Sequence, residues 1–209
     1  MADNSIEIKL PKICDPTLQL PDPELLDLYR DDENRVIWLL GEVDEQIYDY
    51  IAQIIRYNRD DRDLAADARK PIKFIIANYG GSIDCARSLA EIMRLSKTPV
   101  ITIAIGMCAS AATIIYLSGH IHYATSNSKF LFHKGSASNI GGNYSELASF
   151  MEDYKAEIEQ LVEFYKSHTT FEPALIEDKL AKGDWYVDVN EALSHGVVDK
   201  VIDDIDLFI

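Results

Sequence analysis

Positively charged residues are scarce in this 209-residue chain. Only 20 lysines and arginines stand against 35 aspartates and glutamates, for a formal net charge of −15. An acidic surface repels phosphate backbones and anionic lipid headgroups, so the composition disfavours a nucleic-acid partner and a membrane partner. Hydrophobic residues nevertheless make up 47% of the chain. A chain of this length typically buries about 70% of its unfolded surface, which predicts one globular domain with a substantial core.

Cysteine is rare as well, with Cys14, Cys85 and Cys108 far apart in the chain. No C-x-x-C pair occurs, which disfavours both a disulfide framework and a zinc ribbon. The N-terminal residues do not show a basic region followed by an apolar one, so we expect a cytoplasmic location rather than secretion. His120 and His122 share one face of a predicted strand, but further metal ligands do not surround them. We therefore predict no metal site.

Two common sequence motifs are absent. The chain contains no G-x-x-x-x-G-K-[ST] phosphate loop, so any ATP would be hydrolysed by a partner, and we expect no metal or organic cofactor. It contains no G-x-S-x-G element either, which does not support an α/β-hydrolase. Residues 100–117 are uncharged and reach the ~18 residues that a bilayer needs. Because their first half resembles a strand and Gly106 and Ser110 interrupt them, we predict a buried core segment there.

Strands and helices alternate along the chain, which predicts a parallel sheet with right-handed crossovers. Apolar runs rich in β-branched residues predict strands at 35–40, 72–77, 99–105, 130–133 and 197–202. Helical spacing predicts helices at 22–30, 44–58, 83–95, 111–119, 173–182 and 190–195. Residues 1–21 have little periodicity and are predicted to form an extended arm. The dense charges of residues 59–70 predict a solvated surface insertion.

A long helix is predicted from Tyr144 to about His168, with an apolar stripe on helical spacing. Asn143 and Glu146 resemble a capping box at its start. Roughly 25 residues at ~1.5 Å each would span nearly 40 Å, which is more than a small domain needs for its own core. The helix is therefore predicted to act as a handle that packs on another subunit.

Ser110 is a candidate nucleophile because it stands where a buried strand gives way to a helix. Unpaired N–H groups and the positive end of the helix dipole could stabilise the oxyanion that forms when a serine attacks a carbonyl. The alternative is a plain N-cap, which a serine taken alone favours. Gly80-Gly81 and His133 also follow strands, so they can share one edge of the sheet with Ser110. His133 suits a general base, whereas chemistry alone does not select the carboxylate that would orient it.

Four segments taken together resemble the proteolytic subunits of the Clp protease family. They are residues 74–83, residues 106–112, Phe132-His133 and residues 184–199, and the resemblance extends over about residues 25–203. It implies an α/β ClpP/crotonase-like fold with repeated β-α units, a mainly parallel sheet and a protruding handle helix. It also implies a peptidase domain at 22–203, with the handle at 144–168 and an acidic tail at 204–209.

The resemblance also assigns roles, residue by residue. It implies that Ser110 is the nucleophile, His133 the general base and Asp184 the group that orients the base. It implies an oxyanion hole made by the N–H groups of Gly81 and Ala111, and substrate-binding positions at Gly80, Gly141 and Gly142. The implied activity is serine-type endopeptidase cleavage of unfolded polypeptides inside a homo-oligomer of stacked rings, a tetradecamer, that works with an ATP-driven unfoldase.

Several positions depart from the family pattern. Tyr79 stands where proline is usual, Lys134-Gly135 where glutamine-proline is common, and Met151 where the handle helix typically has arginine. The expected protein is therefore a divergent member. Two alternatives remain: a crotonase-type acyl-CoA enzyme, which would not need the serine, histidine and aspartate together, and a non-catalytic ring subunit, which commonly lacks one of them.

Overall fold

The computed structural model describes residues 23–137, 140–206 and 208, and the predicted arm at 1–21 lies outside them. The helices are α1 (Pro23–Asn34), α2 (Ile47–Asp60), α3 (Ile83–Leu95), α4 (Ala111–Leu117), α5 (Tyr144–His168), α6 (Pro173–Ala181) and α7 (Val189–Ser194). The strands are β1 (Val36–Leu39), β2 (Ile72–Asn78), β3 (Val100–Ala109), β4 (Ile121–Thr125), β5 (Lys129–Phe132), β6 (Trp185–Asp188) and β7 (Lys200–Ile202). The predicted α/β alternation is confirmed.

The sheet is mainly parallel, with the strand order β1-β2-β3-β4-β7, and β3 is its central strand. The first half of β3 pairs with β4, whereas Met107 to Ala109 pair with β5. The change of partner occurs at Gly106, where φ is +77°. The predicted strand ended at residue 105 and was too short, because the sequence did not show that β3 continues through Gly106 to a second partner. β6 then pairs with β5 in the antiparallel sense.

One face of the sheet carries most of the core. Phe74, Ile76 and Ala104 are fully buried there, against Leu89 and Met93 of α3, which are also fully buried. α3 begins where expected because the Ser82 hydroxyl caps it by accepting from the Cys85 N–H. The opposite face holds a smaller cluster of Val36, Ile75, Ile101, Ile103 and Ile202, against which Phe208 packs. Both faces of the central strands are therefore covered by apolar side chains, and the candidate site lies where these strands end.

The prediction of a solvated insertion at residues 59–70 was wrong at Asp61. That side chain is almost completely buried and forms two hydrogen bonds with the guanidinium of Arg35, at 2.5 and 2.7 Å. The Thr98 hydroxyl donates to the same carboxylate at 2.8 Å. Hydrogen bonding from Arg35 is the main cause that lowers the pKa of Asp61. A dense run of charged residues predicts that its side chains are exposed on average. It does not show that one of them pairs with an arginine 26 residues away in the chain.

The long helix α5 has the predicted bounds. The Asn143 side chain accepts from the Glu146 N–H, and the Glu146 carboxylate accepts from the Asn143 N–H, so the predicted capping box is confirmed. Only the second half of the helix reaches the core, at Leu161 and Tyr165. Large apolar side chains of the first half are exposed, including Met151 at 56%. Across the described ranges, no helix is long and apolar enough to cross a bilayer.

Candidate active site

Ser110 occupies the turn between β3 and α4 with an unusual backbone. Its φ is +57° and its ψ is −126°, and its side chain makes no capping hydrogen bond to α4. Ser110 therefore occupies the N-cap position of α4 without capping the helix through its side chain, which argues against the plain N-cap alternative. The backbone is held from both sides, because the Ser110 N–H donates to Leu131 at 3.0 Å and the Ser110 carbonyl accepts from Thr113 at 2.9 Å. Strained residues of this kind cluster at functional sites, and here the strain leaves the hydroxyl free of the helix end.

His133 lies directly beside this hydroxyl. Its Nε2 atom is 2.5 Å from the Ser110 Oγ atom. The parallel ladder brings the two together, because Ala109 of β3 pairs with Leu131 of β5, and both strands end at the same edge of the sheet. The Thr113 hydroxyl reinforces the ladder through contacts of 3.1 Å with the carbonyls of Cys108 and Leu131. Serine and histidine are thus held in the geometry of a nucleophile and its base.

Asp184 lies on the other side of the histidine. Its Oδ1 atom is 3.6 Å from the His133 Nδ1 atom, longer than a hydrogen bond. The antiparallel pair Phe132–Trp185 brings the two segments together. Asp188 does not compete for the role, because its carboxylate caps α7 by accepting from two N–H groups. The structure therefore brings together the three side chains that the resemblance selected, with Asp184 the least closely held.

The glycine pair after β2 approaches the nucleophile closely. A methyl group on Gly80, where φ is +107°, would lie 2.6 Å from the Ser110 Cβ and 3.0 Å from its Oγ. Val43 pins the loop, since it donates to the Gly80 carbonyl at 2.9 Å and accepts from Ser82 at 2.7 Å. Val43 and Gly81 thereby form an isolated parallel β-bridge, in which Val43 bonds to the residues on either side of Gly81. The Gly81 N–H therefore points away from Val43. Within the described residues, neither that N–H nor that of Ala111 donates to a protein acceptor.

The other glycine pair lies elsewhere. Gly141 and Gly142 precede α5, and a methyl group on Gly142, where φ is +140°, would meet the Glu146 side chain. The contacts found among the described residues do not join this pair to Ser110. The role of Gly141 and Gly142 in substrate alignment therefore stays a prediction.

Two tyrosines of α5 belong to the site and were missed from the sequence. The Tyr154 hydroxyl donates to the Gly135 carbonyl at 3.2 Å, and the Tyr165 hydroxyl to the His133 carbonyl at 3.4 Å. Burial raises the pKa of Tyr165, so its hydroxyl stays protonated and remains a donor. In the sequence both tyrosines belonged to the apolar stripe of the predicted helix. Their hydroxyls were the available signal, because a buried tyrosine usually finds a partner for its polar end.

Cys108 is the other potential nucleophile near Ser110, but it is fully buried. Burial raises the pKa of its thiol, which disfavours the reactive thiolate. Its packing against the core, with no exposed surface, makes it part of the support beneath Ser110. At this edge of the sheet the serine is therefore the better candidate nucleophile.

Comparisons with known proteins agree on one family. The family model described as Clp protease matches residues 25–204. The ATP-dependent Clp protease proteolytic subunit 2 of Bifidobacterium longum is 30% identical over 176 residues, which cover 81% of this chain and 80% of that protein. The ATP-dependent Clp protease proteolytic subunit of Deinococcus radiodurans is 30% identical over 148 residues, with coverages of 67% and 70%. A solved ClpP1 mutant from Listeria monocytogenes shares the fold, with a TM-score of 0.73 at 20% identity, over 87% of this chain and 98% of that one.

Proposed function

This chain belongs to the Clp protease family, as a proteolytic subunit and serine endopeptidase, and we propose that Ser110, His133 and Asp184 are its catalytic triad. The observation that carries the proposal is the 2.5 Å contact between the Ser110 Oγ and the His133 Nε2. The backbone of Ser110 supports it, because a serine that neither caps its helix nor adopts a relaxed conformation is held for another purpose.

The geometry supports an acyl-transfer reaction. The Ser110 oxygen attacks the scissile carbonyl carbon while the His133 Nε2 takes the hydroxyl proton. Asp184 faces the other ring nitrogen and stabilises the imidazolium that forms. The N–H groups of Gly81 and Ala111 stabilise the negative charge on the carbonyl oxygen. His133 then gives the proton to the leaving amine, and a water molecule, activated by the same histidine, releases the acyl-enzyme.

The substrates in this proposal are unfolded polypeptides. Gly80, Gly141 and Gly142 would line the path of an extended chain past Ser110. A folded domain is typically stable by about 5 to 15 kcal/mol and seldom opens by itself. We therefore propose that an ATP-driven unfoldase delivers the substrate, in keeping with the relatives, which are named ATP-dependent Clp protease proteolytic subunits.

The assembly that we propose is a tetradecamer of two stacked rings, built from a peptidase domain at 22–203 that is flanked by the arm at 1–21 and the tail at 204–209. Members of the family form oligomeric rings. The handle α5 would form the contact between rings, because Phe150 and Met151 are exposed on its first half at 38% and 56%. Light scattering at micromolar concentration should report a particle of about 14 subunits, and a monomer would contradict the proposal.

Covalent labelling with a fluorophosphonate tests the triad. The parent protein should label at Ser110 and cleave a short fluorogenic peptide, whereas Ser110→Ala should do neither while its assembly is unchanged. His133→Ala should label at least ~10³-fold more slowly. Ser118→Ala is the matched control, because in the described part of the chain the hydroxyl of this residue, which follows α4, donates to the Ile114 carbonyl, and the variant should behave like the parent. Peptide cleavage by Ser110→Ala within tenfold of the parent rate would overturn the assignment.

A further inference from the structure

We infer that Tyr154 and Tyr165 are positioning residues for the endopeptidase reaction, which hold His133 in place through the backbone of the segment that follows β5. The inference rests on the proposed triad. Both tyrosines lie on α5, three turns of helix apart, and each donates its hydroxyl to a carbonyl of residues 133–135. The segment that carries the base is therefore held by the handle helix as well as by β5.

The backbone of the segment needs such support, because few other contacts among the described residues restrain it. β5 ends at Phe132, so His133 is the first residue without a ladder partner. Gly135 follows two residues later with a φ of +82°, and glycine leaves the backbone free to leave that conformation. His133, Lys134 and Gly135 are each only partly buried, so packing alone does not immobilise them. The two hydroxyls contact the first and the third of these residues.

Tyr165 is itself a rigid support. Its side chain is 1% exposed, and its ring packs edge-on against Phe132, with centroids 5.0 Å apart. The His133 carbonyl is the acceptor that its buried hydroxyl reaches in the described part of the chain, at 3.4 Å. A buried hydroxyl that lost this partner would be left unpaired, which is costly, so the contact constrains both groups.

Tyr154 contributes from the exposed half of the helix. Its ring stacks on Phe150, with centroids 5.9 Å apart and planes 12° apart, which limits its rotation. Its hydroxyl then reaches across to the Gly135 carbonyl at 3.2 Å. The stacking fixes the orientation of the Tyr154 ring. The hydrogen bond from its hydroxyl then holds the carbonyl of Gly135, two residues after His133. Neither tyrosine touches Ser110 in the structure, so both would act through the position of His133.

The test replaces the hydroxyls and keeps the rings. We would compare Tyr154→Phe, Tyr165→Phe and the double variant with the parent, as assembled full-length protein. Tyr116→Phe is the matched control, because Tyr116 is also buried and donates to a backbone carbonyl, that of Tyr123 at 3.1 Å. Each active-site hydrogen bond lost should lower kcat about three- to fivefold, and the double variant should lose about tenfold, with KM unchanged. Tyr116→Phe should keep the parent kcat.

Two readouts separate the possible results. The first is kcat per serine titrated by the fluorophosphonate, which corrects for unfolded or unassembled protein. The second is amide hydrogen exchange over residues 130–137, which should speed up in the double variant and stay unchanged in Tyr116→Phe. Faster exchange with an unchanged kcat would overturn the positioning role, and so would an unchanged exchange rate. A parent protein that does not label at Ser110 would instead contradict the proposed triad, and hydrogen exchange would still show whether the tyrosines hold the segment.

Discussion

Replacement of Gly80 by alanine is the sharpest test of the close approach between the glycine loop and the nucleophile. The added methyl group would lie 2.6 Å from the Ser110 Cβ and 3.0 Å from both the Ser110 Oγ and the Ala109 carbonyl. Carbon atoms in contact normally stay about 3.5 to 4.0 Å apart, so one side must move by about 1 Å. The Ala109 carbonyl is backbone in the central strand, so we expect Ser110 or the loop to shift.

The expected loss follows from that displacement. A misplacement of about 1 Å at a catalytic group can cost on the order of 100-fold in rate. Gly80 also has a φ of +107°, and a non-glycine residue in a sparsely populated conformation costs about 1 to 3 kcal/mol. We therefore expect kcat/KM for a short peptide to fall about 100-fold in Gly80→Ala, with a lower unfolding midpoint but a folded and assembled protein.

Gly106→Ala separates the two costs. Gly106 also has a positive φ, +77°, but a methyl group there would meet nothing within 4 Å. Both variants carry backbone strain, and only Gly80→Ala pushes on the nucleophile. The assay is the rate of fluorophosphonate labelling of Ser110, measured beside urea unfolding of each variant. If Gly80→Ala labels as fast as Gly106→Ala, the close approach does not control the site and the reasoning is refuted.

Three further predictions follow from single contacts. Asp184→Asn should lower kcat by up to about 10⁴-fold, whereas Asp188→Asn should keep kcat; the reverse order in peptide assays would reassign the orienting residue. Asp61→Asn should destabilise the fold by about 3 to 5 kcal/mol in urea at pH 7, because it leaves the guanidinium of Arg35 without its charged partner. Since hydrogen bonding from Arg35 lowers the pKa of Asp61 in the folded state, this stabilisation is fully present above the unfolded pKa of about 3.9. It is lost as the pH falls from there through the lower folded pKa, so the difference in stability between parent and variant should shrink steadily in acid, and a constant difference would contradict this. Asn143→Ala should cost about 1 kcal/mol of stability through the lost capping box, seen as a lower unfolding midpoint, and an unchanged midpoint would show that the first turn of α5 contributes nothing.

Helix bounds were predictable wherever a local signal sets them. α3 and α5 begin at the predicted residues because the side chains of Ser82 and Asn143 cap them, and such caps depend on residues only two or three positions away. Most strands were predictable for the same reason, since each apolar run can be identified by itself, but β6 was not predicted, because its four residues alternate buried and exposed side chains and form no apolar run. The role of Ser110 was harder to predict, because a single serine before a helix, taken alone, favours an N-cap.

The features that could not be predicted depend on pairing between distant segments. The burial of Asp61 requires Arg35, and the continuation of β3 beyond Gly106 requires β5 as a second partner. The selection of Asp184 among many carboxylates depends on the register of β5 against β6, which the residues alone did not reveal and only the family resemblance supplied. The hydroxyls of Tyr154 and Tyr165 find their carbonyls only once α5 packs beside β5. Each depends on a contact across at least 19 positions of the chain.

The three candidate catalytic residues are constrained to different degrees, and the difference has a structural cause. Ser110 is held by backbone hydrogen bonds to β5 and α4. His133 follows the end of β5 and gains support from the hydroxyl of Tyr165. Asp184 precedes the last pair of an antiparallel ladder, stays 56% exposed and remains 3.6 Å from its partner. Because the serine and histidine are positioned by one parallel ladder, their contact should survive changes near β6, whereas the contact between His133 and Asp184 should not. Substitutions in β6 that weaken its pairing with β5 should therefore slow acylation of Ser110. They should leave the distance between the Ser110 Oγ and the His133 Nε2 unchanged.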